Sequence, residues 1–110
     1  MHRINTHTSD QVLTVSLAGD IDVAAAGDLR EAGLRAIEQA EGRSVVFDAA
    51  GVTFIDSTGL GALVALNNAA GETNTRMVLR SVPPRMATLL RVTALDHVFD
   101  LDPTVASDAR

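Results

Sequence analysis

The feature that most limits what this chain can fold into is an alternation of two hydrophobic periods. Short apolar runs stand at Leu13–Leu17, Val45–Phe47 and Met77–Leu79, and between them apolar residues recur every three or four positions. Leu13, Val15 and Leu17 alternate with Thr14 and Ser16, the pattern of a half-buried strand. Val45-Val46-Phe47 and Met77-Val78-Leu79 are unbroken, as expected of strands covered on both faces. Ile4–Thr8 is a weaker extended segment, and Ser9-Asp10-Gln11 reads as a hairpin turn behind it. Val98-Phe99 reads as one last short strand.

The intervening stretches are helical. Val23, Ala26, Leu29, Gly33, Ala36, Ile37 and Ala40 make one apolar stripe, with Asp22 placed to cap its start and Gly42 to stop it. Gly27 and Gly33 weaken this helix by up to about 1 kcal/mol each, so packing must hold it. A second helix, from about Ser57 to Ala70, is apolar nearly all the way round, through Leu60, Ala62, Leu63, Val64, Ala65 and Leu66. Such a helix is either deeply buried or offers its outer face to a partner. The third starts at Ser81-Val82-Pro83-Pro84 and continues through Met86, Leu89, Leu90 and Val92.

Strand, strand, helix, strand, helix, strand, helix implies an α/β fold whose crossovers build a parallel sheet with one antiparallel edge. The expectation is a single domain over residues 1–110, a mixed, mostly parallel sheet packed with about four α-helices. Its core spans about 4–102, and 103–110 form a short terminal helix or a frayed tail.

Composition removes several chemistries. A formal charge of -5 argues against nucleic acid, which demands a basic face. All 9 basic residues are arginines, so neither a P-loop lysine nor a Schiff-base lysine exists. With Cys 0 there is no thiolate nucleophile or cysteine-ligated metal. His2, His7 and His97 are too scattered to suggest a metal site, and no cofactor is expected. Residues 1–10 contain no apolar run of the secretory kind and no stretch of about 18 apolar residues occurs, so the expectation is a cytoplasmic domain without membrane insertion.

One segment stands apart: Phe54-Ile55-Asp56-Ser57-Thr58-Gly59-Leu60-Gly61, read as a loop after the strand Val45–Asp48 that leads into the apolar helix. Asp56 or Ser57 suits the N-cap, and capping is the ordinary role of such residues. A phosphate on Ser57 would sit at the positive end of a helix, yet beside the Asp56 carboxylate, where it would add about −1.5 to −2 charge. The fold would tolerate that charge while an acidic or apolar partner docked there would not.

Asp56-Ser57-Thr58-Gly59-Leu60-Gly61 resembles the signature of the STAS domain family, in particular the bacterial anti-sigma factor antagonists, in which the serine after the aspartate is phosphorylated. Gly19-Asp20-Ile21-Asp22 is similar to the family's Gly-x-Leu/Ile-Asp segment. Val82-Pro83-Pro84-Arg85 through Leu89-Leu90 and on to Leu95-Asp96-His97-Val98-Phe99 resembles its closing helix and strand. The resemblance covers roughly residues 4–102. One departure is Ala94, where the family often has glycine; alanine is tolerated there unless the position needs a positive φ.

The resemblance implies a regulator rather than an enzyme. Unphosphorylated antagonists bind an anti-sigma factor, a serine kinase with a histidine-kinase-like ATPase fold, and so release a sigma factor; phosphorylation loosens the complex and a serine phosphatase resets it. It implies Ser57 as the switch and Asp20, Ile21, Asp22, Asp56, Ser57, Thr58, Gly59, Leu60 and Gly61 as the partner-binding set, in a monomer. Asp22 is equally an N-cap and Asp20 equally a solvated turn residue; Thr58 is not the expected phosphoacceptor and stays open only as a secondary site. Single STAS domains also serve as accessory subunits of membrane transporters, including lipid-handling ABC systems, without a phosphoswitch. An enzyme using Ser57 as nucleophile and His97 as base is the weakest alternative, since no Gly-x-Ser-x-Gly elbow is present.

Overall fold

In the computed structural model, which describes residues 1–102, the hairpin at the start of the chain forms β1 (His2–Thr8) antiparallel to β2 (Val12–Ile21), pairing Thr8 with Leu13 and His2 with Gly19. The turn is closed by Ser9, whose amide donates to the Val12 carbonyl at 2.9 Å while the Val12 amide donates to Ser9 Oγ at 3.2 Å. β2 then pairs in parallel with β3 (Ser44–Ile55), β3 with β4 (Met77–Arg80) and β4 with β5 (Asp100–Leu101). The result is a five-stranded mixed sheet in the order β1-β2-β3-β4-β5.

Parallel neighbours need a crossover, and each is helical: α1 (Val23–Glu38), α2 (Ser57–Glu72) and α3 (Pro84–Val92). About four helices were expected; among the described residues there are three α-helices and a 3-10 turn at Leu95–His97. The terminal helix or frayed tail expected over 103–110 lies outside the described residues. Leu13, Val15, Leu17, Val45, Phe47 and Leu79 from the strands form one buried cluster with Leu29, Leu63, Leu66 and Leu90 from the helices. The alternate strand residues Thr14, Ser16, Val46 and Asp48 are only half-buried. β3 is therefore not covered on both faces, whereas Val78 in β4 is buried along with its neighbours.

Several boundaries differ from the sequence expectation. β3 does not stop near Asp48 but continues through Phe54-Ile55, and β2 runs on through Gly19-Asp20-Ile21. The two extensions hold each other, with Ala18 opposite Gly51, Asp20 opposite Phe54 and Ile21 opposite Ile55. Register shifts between Ser16/Ala18 and Gly19/Asp20 break the two-residue alternation, which is why the pattern does not announce these strands. Gly19 adopts φ 84°, and a side chain there would strike the Met1 carbonyl and His2 backbone. The last strand is Asp100–Leu101 rather than Val98-Phe99, because Val98 and Phe99 still donate to the Leu95 carbonyl at 3.0 and 3.3 Å. Arg76 holds that short strand by an ion pair to Asp100 at 2.7 Å, and this hydrogen bond raises the arginine's pKa. Val23 and Val92, expected on apolar stripes, are exposed. Ala94 does occupy a left-handed conformation, φ 62°, so the alanine is strained where the family often has glycine. Among the described residues no helix is long and apolar enough to cross a membrane.

Candidate functional site

β2 and β3 end side by side, and each passes directly into a helix through an aspartate. Asp22 Oδ1 accepts from the amides of Ala24 at 3.1 Å and Ala25 at 3.3 Å. Asp56 Oδ1 accepts from those of Thr58 and Gly59, both at 3.0 Å. Of the two candidate caps, Asp56 is therefore the one used, and Ser57 is the first residue of α2, exposed. The two ends are tied by the pairing of Ile21 with Ile55 and by the Asp56 amide, 3.4 Å from the Ile21 carbonyl. Two helix N-termini thus open onto one edge, and in each the protein's own carboxylate already holds two first-turn amides.

The two glycines of the segment do different things. A side chain on Gly59 would overlap the Ile21 carbonyl oxygen and lie 2.9 Å from Ile21 Cγ2 and Ile55 Cγ1. That position lets α2 sit against its own sheet, not against a partner. Gly61 has nothing within 4 Å of a would-be Cβ and is exposed. Leu60 and Ile21 are buried in the core. So Ser57, Thr58 and Gly61 face outward, Asp22 and Asp56 are half-buried caps, and Ile21, Gly59 and Leu60 support the surface from beneath. Asp20 is half-buried, accepting from Thr53 Oγ1 at 3.1 Å and lying 3.5 Å from the terminal amine of Met1. On the question whether α2 is buried or shows an outer face, Ala62, Leu63 and Leu66 are inside while Val64 and Ala65 are half-exposed.

Sequence reasoning missed Phe54, which is 54% exposed immediately before this turn. Its aromatic ring in a segment read as loop was the available signal. His97 is not placed to serve Ser57 as a base. Its turn packs beside the middle of α2, where Asn67 Nδ2 donates to the Val98 carbonyl at 3.3 Å. Asn67 is about 15 Å along the helix from Ser57 at 1.5 Å per residue, far beyond hydrogen-bond reach.

The STAS domain family matches residues 3–108. An anti-sigma-B factor antagonist of Staphylococcus aureus is 29% identical over 99 residues, 90% of this chain and 91% of the relative. A STAS-domain containing protein of Pseudomonas aeruginosa is 30% identical over 91 residues, covering 83% of this chain and 88% of its own. The crystal structure of an anti-sigma factor antagonist from Mycobacterium paratuberculosis superposes with a TM-score of 0.79 at 28% identity, covering 97% of this chain and 90% of that one.

Proposed function

The chain belongs to the STAS domain family, and from that premise we propose that it is an anti-sigma factor antagonist working as a phosphorylation switch at Ser57. In this reading the unphosphorylated protein, as a monomer in the cytoplasm, binds an anti-sigma factor serine kinase and frees the sigma factor. The kinase then modifies Ser57, and a serine phosphatase restores the capturing form. Neither S. aureus nor M. paratuberculosis relative, by its name, favours the transporter-subunit reading.

The observation that carries the proposal is the exposed Ser57 on a helix start whose Thr58 and Gly59 amides Asp56 already holds. A phosphate at that position finds the Thr58 and Gly59 amides, of the kind that usually cradle an anion, already taken by Asp56. It meets the Asp56 carboxylate instead, so its charge is directed at whatever docks on the surface. The helix is little affected because its cap is a different residue. Ser57, Thr58 and Gly61 would form the contact surface, with Asp20 and Asp22 at its margin, and Ile21, Gly59 and Leu60 fixing its shape.

The test is capture from native lysate by wild type, Ser57→Ala and Ser57→Asp, with phosphate mapped by mass spectrometry. Wild type and Ser57→Ala should retain an ATPase-fold kinase, Ser57→Asp should hold it at least about tenfold more weakly, and only wild type should incorporate phosphate. The melting curve of Ser57→Asp should stay within about 0.5 kcal/mol of wild type, as for an exposed surface change. Equal capture of permease and ABC-ATPase subunits by all three baits would overturn the proposal.

A further inference from the structure

A groove of about 650 Å³ separates the end of β3 from α3. We propose that it is a docking site for an extended, mainly apolar peptide segment of a partner protein that adds to the open edge of β3 as an extra strand and carries a carboxylate for Arg85. This goes beyond the Ser57 switch and requires neither the kinase nor phosphorylation.

The edge is open because β4 is short. β4 accompanies β3 only to the Asp48–Arg80 pair, after which Ser81, at φ 57°, turns the chain toward α3. From there to Ile55, β3 keeps a strand partner on the β2 side alone among the described residues. Val52, Thr53, Phe54 and Ile55 all line the groove. Four consecutive residues reach it because the register shift at Thr53 breaks the alternation of faces, and with β4 ended at Arg80 the groove lies beside the unpaired edge of this stretch. Such an edge is a template for another chain's amides and carbonyls, and strand addition is an established way of recognising peptides. About 13 Å of edge is available over these residues at the usual rise per residue.

Side chains select what can enter. The opposite wall includes Pro84, Met86, Leu89 and Val92, and Val92 is 77% exposed. Arg85 is the charged residue of the lining, and among the described residues its side chain makes no hydrogen bond or ion pair. Charge complementarity therefore asks for an acidic group on the incoming segment. It also disfavours a second copy of this chain, since a two-fold edge-to-edge pairing would bring Arg85 toward its own equivalent. The register irregularity between the Gly19–Val52 and Asp20–Phe54 pairs twists the edge, which suits a short segment better than continued stacking.

A displayed library of random peptides panned on the full chain tests this, with selected peptides synthesised in plain and alternately N-methylated forms. The selected sequences should be rich in β-branched and aromatic residues with an Asp or Glu, and should slow amide exchange at Val52–Ile55. N-methylation of the edge-facing residues should weaken them at least about tenfold. Val92→Glu should weaken binding similarly with an unchanged circular-dichroism spectrum, and Arg85→Glu should shift the preference from acidic to basic peptides. Failure to select any binder, or equal binding after N-methylation, would overturn the proposal. So would protection of Val52–Ile55 that rises with the concentration of the protein alone, which would assign the edge to a second copy.

Discussion

The same substitution at the two glycines of the Asp56–Gly61 turn should have opposite signs. At Gly59 an alanine Cβ would overlap the Ile21 carbonyl and crowd Ile21 Cγ2 and Ile55 Cγ1 at 2.9 Å. The principal obstruction is backbone, which cannot rotate away, so the overpacking cost belongs near the upper end of the usual range, about 3 kcal/mol. Gly→Ala in a helix returns about 1 kcal/mol, leaving a net loss of about 2 kcal/mol. For a chain of this length the unfolding entropy is about 0.23 kcal/mol per kelvin, so Tm should fall by about 9 °C. Gly61→Ala meets open space on an exposed helix surface and should gain about 0.5–1 kcal/mol, raising Tm by about 2–4 °C. Thermal and urea melts followed by circular dichroism measure both. A Gly59→Ala protein melting at or above wild type would refute the close approach of α2 to β2; a destabilised Gly61→Ala would refute the open face.

Ala94→Gly should stabilise the fold by about 1 kcal/mol, because φ 62° strains alanine and the residue is exposed, so little packing is lost; an unchanged urea midpoint would count against that backbone conformation. Asp56→Ala should cost about 1 kcal/mol by releasing the Thr58 and Gly59 amides, while Asp56→Asn, which can cap equally well, should stay near wild type in the same melt. Leu63→Ala, at a fully covered position between sheet and helices, should cost about 3–5 kcal/mol, and a chain that still folds should show a lower urea midpoint with the same slope.

The order of strands and helices, the hairpin, the Asp22 cap and the apolar stripe of α1 apart from Val23 were legible in the chain because each is local. Hydrophobic period and capping chemistry act over a few residues, and Asp22 and Asp56 accept amides from two and three positions ahead. The Asp56–Gly61 segment was legible for the same reason, and so was its likeness to a family. Burial was not. Whether Gly59 yields its space to a partner or to Ile21, and whether Leu60 looks out or in, depends on a strand distant in sequence. The extension of β3 through Phe54-Ile55 likewise exists because β2 lies alongside, across register shifts that erase the two-residue pattern. The open edge beside α3 arises from the early turn of β4 at Ser81. By itself, then, the sequence determined where helices start and which residues alternate and repeat, leaving Asp56 and Ser57 both open as the second cap; only the tertiary structure decided that choice and which residues remain at the surface, because solvent exposure is set by neighbours that the chain brings together from far apart.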